Sequence, residues 1–330
     1  MEATSNYMSR DVTPTAIAVR VVALCLMVLC ARRSDAELAF SANRGQAQEI
    51  YSIDERVGEP SVRNLTNHFA NDYMPDWSPD GRQIAFTSDR DDSPGDIFVM
   101  DSDGASQRNL TRHPARDLDP SWAPDGKHIA FASWRNVRPD IFVVDIDGGG
   151  LRALTEHPHI DWEPSWSPDG RWIAFTSWKA GADIHLISPD GDVITRLTDH
   201  PEEDSQASWS SDGRYIAFTS RRDGLPKIYV MESDGTRLRR LANEPGWDLD
   251  PTWSPDGSTV AFASLRGVGS SHLMTVDIDT RETTRVTMWA DKWGPGEDRH
   301  PAWLPTSLGV DVSVDHRALM WGWLKRLGAL

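Results

Sequence analysis

Residues 77–81 of the chain are Trp77-Ser78-Pro79-Asp80-Gly81, and this pentapeptide is the unit of a long internal repeat. Four near-copies and one shortened copy follow it. They begin at Trp122, Trp166, Trp209, Trp253 and Trp303. Successive tryptophans lie 45, 44, 43, 44 and 50 residues apart. This period matches four short strands per repeat, as in the blades of a β-propeller, and is longer than the leucine-rich and ankyrin periods.

Each repeat has the same internal order of apolar segments and turns. A strand A ends at the tryptophan, and the Pro-Asp-Gly turn reverses the chain into strand B, Ile84–Ser88. Strand C, Ile97–Met100, follows, and strand D begins at Arg108-Asn109. No segment between the repeats has helical periodicity, so the sequence predicts an all-β fold of four-stranded antiparallel blades.

The two ends of the repeat region complement each other. The first unit, near Ala39-Phe40-Ser41, has strands B, C and D but no strand A, whereas Pro301-Ala302-Trp303 is a strand A without a strand B. Pairing of the two would give a sixth blade and leave no free sheet edge. The sequence therefore predicts a six-bladed β-propeller closed by its own N- and C-terminal strands.

The repeated elements, in this order and spacing, resemble the TolB-type propeller repeat. The resemblance covers residues 38–305 and implies a periplasmic setting and a scaffold role in envelope assemblies. It does not extend to the N-terminal α/β domain of TolB, for which we expect no room here. We likewise expect no hydrolase domain of the kind found in propeller peptidases, and the sequence shows no Gly-x-Ser-x-Gly elbow.

Composition limits the classes of partner. The net charge of -16 over 330 residues disfavours nucleic acid and anionic membranes. An apolar stretch, Val21–Ala31, precedes Ser34-Asp35-Ala36 and is too short to span a bilayer. We interpret residues 1–36 as a cleaved signal peptide, the alternative being an uncleaved anchor. Residues 37–305 are then the propeller, and residues 306–330 a tail that forms a short helix packed on it. The expected location is periplasmic or secreted, with no stable membrane span after cleavage.

Strands in a blade alternate in direction, so each loop type belongs to one side of the disc. The A–B and C–D turns form what we call the turn face, and the B–C loops and D–A connections form the connection face. Two rings are expected on the connection face: an acid five residues before each tryptophan and a base after each strand B. The acids are Asp72, Asp117, Asp161, Asp204, Asp248 and Asp298, and the bases are Arg44, Arg90, Arg135, Lys179, Arg222 and Arg266. Such rings would suit ion binding, but sixfold repetition favours a structural role at the joints between blades.

Four histidines occupy one further repeated position, nine residues before the tryptophan. They are His68, His113, His157 and His200. A zinc ion needs ligands about 2 Å from one point, whereas equivalent loops of a ring are spread apart. We therefore predict no metal and no cofactor, although propeller pectate lyases with a histidine-rich metal centre keep an enzyme hypothesis open.

Function is expected where the repeat is broken, because the scaffold is common to all blades. Aromatic side chains that do not follow the repeat gather on the connection face. They are Tyr73, Trp134, Trp162, Trp178, Trp247, Trp289 and Trp293, the last two in a sixth D–A connection that is longer than the others. Exposed aromatic residues with arginine are typical of protein interfaces and of sugar-binding surfaces. Our first hypothesis is a non-enzymatic scaffold for a protein partner of the cell envelope. The alternative is a carbohydrate-binding or lyase-like propeller.

Overall fold

The computed structural model describes residues 37–305 except residues 46, 92, 180, 267–269 and 289–296. These residues form six four-stranded antiparallel sheets arranged as the blades of a propeller. The described ranges contain no α-helix and one 3-10 turn, Glu59–Ser61. None of their helices is long and apolar enough to cross a membrane. The predicted signal peptide (1–36) and C-terminal tail (306–330) lie outside the described residues.

The strands follow the order predicted from the repeat. The N-terminal strands are β1 (Glu37–Asn43), β2 (Gln48–Asp54) and β3 (Arg63–Asn64). Blade 1 consists of β4 (Asp72–Trp77), β5 (Gln83–Ser88), β6 (Asp96–Asp101) and β7 (Arg108–Asn109). Blade 2 consists of β8 (Asp117–Trp122), β9 (His128–Ser133), β10 (Asp140–Asp145) and β11 (Arg152–Ala153). Blade 3 consists of β12 (Ile160–Trp166), β13 (Ile173–Trp178), β14 (Ala182–Ile187) and β15 (Ile194–Arg196).

The second half of the ring repeats the arrangement. Blade 4 consists of β16 (Asp204–Trp209), β17 (Tyr215–Ser220), β18 (Lys227–Glu232) and β19 (Arg239–Arg240). Blade 5 consists of β20 (Trp247–Trp253), β21 (Thr259–Leu265), β22 (Ser271–Asp277) and β23 (Thr283–Arg285). The last strand is β24 (Asp298–Trp303), and it pairs antiparallel with β1, with Leu38 opposite Trp303. Blade 6 thus has the order β24-β1-β2-β3, which confirms the predicted closure.

The repeated pentapeptide forms the turn between strands A and B. In blade 1, Ser78 Oγ donates to Asp80 Oδ1 at 2.7 Å and accepts from the Gln83 backbone N–H at 2.9 Å. Gly81 has a φ of +66°, and a Cβ there would lie 2.7 Å from Leu304 Cδ1. In blade 1 serine and aspartate therefore supply hydrogen bonds within the turn, and glycine leaves room for Leu304. Blade 2 forms the same backbone turn with Ala123 in place of the serine.

The hydrophobic core lies between neighbouring sheets. Each blade contributes one fully buried phenylalanine from the middle of strand B, and the six are Phe40, Phe86, Phe131, Phe175, Phe218 and Phe262. The strand A tryptophan packs against the preceding blade: Trp77 belongs to a cluster with Ala39 and Ile50 of blade 6. Both faces of a central strand are covered, which explains why the strand B segments are almost continuously apolar.

Candidate functional site

The central channel is lined by the residue three positions before each strand A tryptophan. These six residues are Met74, Asp119, Glu163, Gln206, Asp250 and His300. All six have a positive φ, between 50° and 58°. Such angles are uncommon for residues other than glycine and are typical of strained, functional or joining positions.

The strain has a local cause in the pairing of strands A and B. In blade 1 the register shifts between Tyr73 and Asp76, so that Met74 and Pro75 form a bulge without partners on β5. The same shift occurs in every blade. Proline follows the channel residue in all blades except blade 4, where Ala207 takes its place. Residues in the bulge have no hydrogen-bonding partner on strand B. A proline there, which has no N–H, therefore removes no hydrogen bond from the sheet.

Side chains of the channel ring connect one blade to the next. The Gln206 backbone N–H donates to Glu163 Oε2 at 3.0 Å, and the Asp250 N–H donates to Gln206 Oε1 at 3.1 Å. The His300 N–H donates to Asp250 Oδ2 at 3.4 Å. The channel wall is therefore a chain of hydrogen bonds that passes from blade 3 through blades 4 and 5 to blade 6.

Four carboxyl groups line the channel, those of Asp76, Asp119, Glu163 and Asp250. Burial raises the pKa of Asp119 to about 7 and that of Glu163 to about 8, and the mutual repulsion of nearby carboxylates adds to both shifts. Burial likewise raises the pKa of Asp76 to about 7, against hydrogen bonds from the backbone of Trp122 and Trp77. Near neutral pH these groups are partly protonated, so the cavity of about 180 Å³ in the channel carries less negative charge than its composition suggests.

Asp250 behaves differently from the other channel acids. Burial opposes its ionisation, but the charges of His300 and Arg299 and the hydrogen bond from Arg299 lower its pKa. Burial also lowers the pKa of His300. Because His300 carries charge only when protonated, Arg299 is the permanent cation beside Asp250, with Nε 2.9 Å from Oδ2. This ion pair spans the joint between blades 5 and 6.

The predicted acid and base rings come together in five blades. The shortest carboxylate–guanidinium distances are 2.6 Å for Asp72–Arg90, 2.7 Å for Asp117–Arg135, 2.8 Å for Asp204–Arg222, 3.4 Å for Asp298–Arg44 and 3.6 Å for Asp248–Arg266. Each pair lies within one blade and ties the start of strand A to the loop after strand B. The joint to the preceding blade is made by the backbone, as where the Asp117 N–H donates to Gly95 O at 2.8 Å.

Blade 3 departs from this pattern. Lys179 is exposed and forms no ion pair with Asp161 among the described residues. His157 Nε2 lies 3.3 Å from Asp161 Oδ2 instead. In blade 5, Lys227 of blade 4 gives Asp248 a second cation, with Nζ 2.9 Å from Oδ2.

The predicted partner-binding aromatic residues form three groups on the connection face. The guanidinium carbon of Arg116 lies 5.7 Å from the centroid of the Trp134 ring. Burial raises the pKa of Tyr73, and the nearby Arg116 opposes that rise. The guanidinium carbon of Arg221 lies 5.8 Å from the centroid of the Trp247 ring, and Trp247 is 44% exposed.

The third aromatic group is a pair in blade 3. The rings of Trp162 and Trp178 pack edge to face with their centroids 6.2 Å apart, and Trp178 is 38% exposed. The two remaining predicted residues, Trp289 and Trp293, lie outside the described residues.

The repeated histidines cap their own loops. The Nδ1 atoms of His68, His113 and His200 accept the backbone N–H two residues later, at 3.1, 3.0 and 3.1 Å. His157 Nδ1 has no hydrogen-bond partner among the described residues. Within the described ranges, no three histidine, cysteine, aspartate or glutamate side chains are placed to share a metal ion.

A family model described as the TolB beta propeller domain matches residues 95–287. The chain belongs to this family. The resemblance inferred from the repeat is thereby confirmed, and the match runs from the start of β6 in blade 1 to the end of blade 5.

Solved structures give the same fold for this TolB-type propeller. TolB from Acinetobacter baumannii is 22% identical, with a TM-score of 0.71, over 89% of this chain and 73% of that protein. The putative TolB from Agrobacterium tumefaciens is 23% identical, with a TM-score of 0.64, over 76% and 88% of the two chains. An oligogalacturonate lyase from Vibrio parahaemolyticus is 14% identical, with a TM-score of 0.54, over 76% and 74%. The chain has no significant match among curated protein sequences.

The channel ring of this TolB-type propeller was not predicted from the sequence. Its members are chemically unlike, so no single residue type marks the position. A signal was nevertheless present, because a proline follows at the same distance from the tryptophan in five of six copies. A repeated proline inside a strand indicates a bulge, and bulges re-aim side chains.

Proposed function

We propose that this TolB-type propeller is a non-enzymatic binding scaffold exported to the cell envelope, and that it holds a protein partner on the connection face. One observation carries the proposal: aromatic and arginine side chains outside the repeat cluster on that face, with Trp178 and Trp247 substantially exposed. Exposed tryptophan and arginine are enriched at the energetic centres of protein interfaces. The net charge of -16 favours a partner with a basic surface.

The channel supports the same proposal. A cavity with partly protonated carboxylates opens among six strained residues, and such a wall suits a polar or cationic extension of a partner that already rests on the face. A catalytic site would need convergent groups with defined roles in acid–base or metal chemistry. In the part of the chain that the structure describes, no three histidine, cysteine, aspartate or glutamate side chains are placed to share a metal ion.

A carbohydrate ligand is the second candidate, and the exposed rings of Trp178 and Trp247 are the observation in its favour. However, Arg221 already lies over the Trp247 ring, and Arg116 over that of Trp134. Because stacking on a sugar needs an open ring face, these two positions suit an interface with protein better.

The test is quantitative crosslinking in cells that express the full chain. The double variant Trp134→Ala/Trp247→Ala removes two aromatic groups of the connection face. The control, Leu151→Ala/Val193→Ala, removes exposed apolar side chains from the turn face, which are 42% and 48% exposed. We expect one protein adduct to fall at least tenfold in the first variant and to persist in the control. Equal adducts in both variants, or loss of a glycan ligand without any protein adduct, would reject the proposal.

Export is tested separately. We expect cell fractionation to place the mature protein in the periplasm or medium, and N-terminal sequencing to begin at Glu37. A chain that retains residues 1–36 and sediments with membranes would instead support the uncleaved anchor.

A further inference from the structure

Blade 3 contains a buried acid that lacks the partner its counterparts have. Asp161 is fully buried, and neither of its carboxylate oxygens has a hydrogen-bond partner among the described residues. The equivalent acids are hydrogen-bonded: Asp117, for example, accepts from Ser133 Oγ at 2.6 Å and from Arg135 Nη2 at 2.7 Å. Leaving a buried carboxylate without donors is costly, so the site lacks a cation that the rest of the ring possesses.

The equivalent sites show which cation fits. In four blades the arginine guanidinium lies both beside the acid and over two aromatic rings that face each other on strands B and C. The guanidinium carbon lies 5.2 and 5.0 Å from the rings for Arg44, 5.5 and 5.4 Å for Arg90, 5.9 and 5.9 Å for Arg135, and 5.7 and 4.9 Å for Arg222. A planar guanidinium binds a carboxylate and stacks on rings at once, which an ammonium does less well.

Blade 3 retains the aromatic part of this site without the arginine. Phe175 and His185 occupy the two ring positions, 5.6 Å apart, and no arginine or lysine of the described residues lies over the Phe175 ring. Arg196 stands opposite His185 on strand D, but its guanidinium pairs with Asp183 at 2.8 Å. Burial lowers the pKa of His185, so its ring is neutral near physiological pH and does not repel a guanidinium. The base expected here, Lys179, is exposed.

The site is covered by side chains that reach the surface. His157, 30% exposed, lies over Asp161 within ion-pair distance but without a hydrogen bond. Beside it is a crevice of about 490 Å³ lined by residues that include Asn136, Arg138, Asp140 and His157. Arg138 donates to Pro158 O at 3.0 Å and forms no ion pair with Asp161 among the described residues. Asp140 repels the negative charge of Asp161, which further favours a cation between them.

We propose that Asp161, Phe175 and His185 form a seat for an arginine side chain of the protein partner, which enters from the connection face and displaces His157. Trp162 and Trp178, which follow Asp161 and precede Lys179 in the sequence, would flank the arginine at the surface. This inference rests on the proposed function, since it names the chemistry by which the partner is held. The arginine would complete the ring that the other five blades complete with their own residues.

Binding of a short peptide to the full chain tests the seat directly. We expect acetyl-Gly-Arg-Gly-amide to bind saturably, with a Kd on the order of 1 mM by calorimetry, and the lysine analogue to bind at least tenfold more weakly. Lys179→Arg should fill the seat from within, abolish peptide binding and raise the melting temperature. Asp161→Asn should keep the fold and also lose binding.

The matched control is Lys127→Arg, which adds the same side chain to an exposed position on the turn face. It should leave peptide binding unchanged. Equal affinity for the arginine and lysine peptides, or undiminished peptide binding by the Lys179→Arg variant, would overturn the seat. The seat would also be overturned if no binding were seen at peptide concentrations tenfold above the expected Kd. A stoichiometric divalent metal that depends on Asp161 would overturn it as well.

The crosslinking experiment separates the two proposals. If the protein adduct is lost in Trp134→Ala/Trp247→Ala but unchanged in Lys179→Arg and Asp161→Asn, the seat fails and the interface stands. If the arginine peptide binds as described while no protein adduct forms, the interface fails as the function of this face.

Discussion

Arg299 of blade 6 donates a hydrogen bond from Nε to Oδ2 of Asp250 in blade 5, at 2.9 Å. Asp250 also accepts a hydrogen bond from the side chain of Gln206 in blade 4. One carboxylate thus joins three blades close to where the two ends of the propeller meet. Because the pair is largely buried, its partners cannot be replaced by water without cost.

We therefore predict that Arg299→Ala destabilises the protein by about 3 kcal/mol at pH 7, because it leaves Asp250 buried without its cation. Urea denaturation measures the change. Arg171→Ala is the control: Arg171 pairs with Asp169 at 3.7 Å, both side chains are exposed, and the loss should stay within about 0.5 kcal/mol. Equal midpoints for the two variants would show that the channel pair does not hold the ring closed.

The second prediction concerns the pH dependence of stability. Burial raises the pKa of Glu163 from 4.5 in the unfolded chain to about 8 in the folded one. Between these values the unfolded state releases a proton that the folded state retains. Stability from this group is therefore complete below pH 4.5 and is lost as the pH rises through about 8.

Glu163→Gln should flatten this part of the profile and stabilise the protein at pH 9 by on the order of 2 kcal/mol, with little change at pH 5. Blade 4 provides the precedent, because Gln206 occupies the equivalent position and accepts the same backbone and threonine hydrogen bonds. The reverse exchange, Gln206→Glu, should lower stability at pH 9 and leave it nearly unchanged at pH 5. Thermal unfolding across this range would contradict the assignment if both variants followed the wild-type profile.

The third prediction separates core from surface phenylalanines. Phe131 is fully buried between blades, whereas Phe69 is 87% exposed in a D–A connection. Phe131→Ala should cost about 4 kcal/mol, since it leaves a cavity between two sheets. Phe69→Ala should cost less than about 0.5 kcal/mol. Urea midpoints that fall equally in the two variants would mean that the sheets repack around the lost ring.

The fold could be predicted from the sequence because it is written six times. Each copy of the tryptophan motif repeats the same turn, and the incomplete copies near Phe40 and Trp303 specify how the ring closes. Local signals and the global fold therefore agree at every blade. The channel was not predicted, because it depends on a bulge that brings unlike side chains to one wall.

In the acid and base rings, the sequence pattern predicted which residues are equivalent but not where each side chain lies. Lys179 was predicted to be equivalent to the five arginines. However, four of the arginines lie both beside a carboxylate and over two aromatic rings, and Lys179 does not. The guanidinium of arginine is planar, carries five N–H donors and is less strongly hydrated than the ammonium of lysine. The single replacement of arginine by lysine, in blade 3, therefore leaves this site without its cation. The position of the Lys179 side chain could not be deduced from the spacing of the repeat alone.

The last prediction concerns the repeated histidines and the lyase alternative. His68, His113 and His200 each use Nδ1 to accept a backbone N–H of their own loop. A metal at these positions would compete with those hydrogen bonds, and the described residues offer it no third ligand. Treatment with a chelator should therefore change the melting temperature by no more than about 1 °C. If a metal ion bound only the folded protein and were present at 100 times its Kd, its removal would instead cost about 2.7 kcal/mol of stability. A large fall that added Mn²⁺ or Ca²⁺ restores would favour the lyase-like alternative.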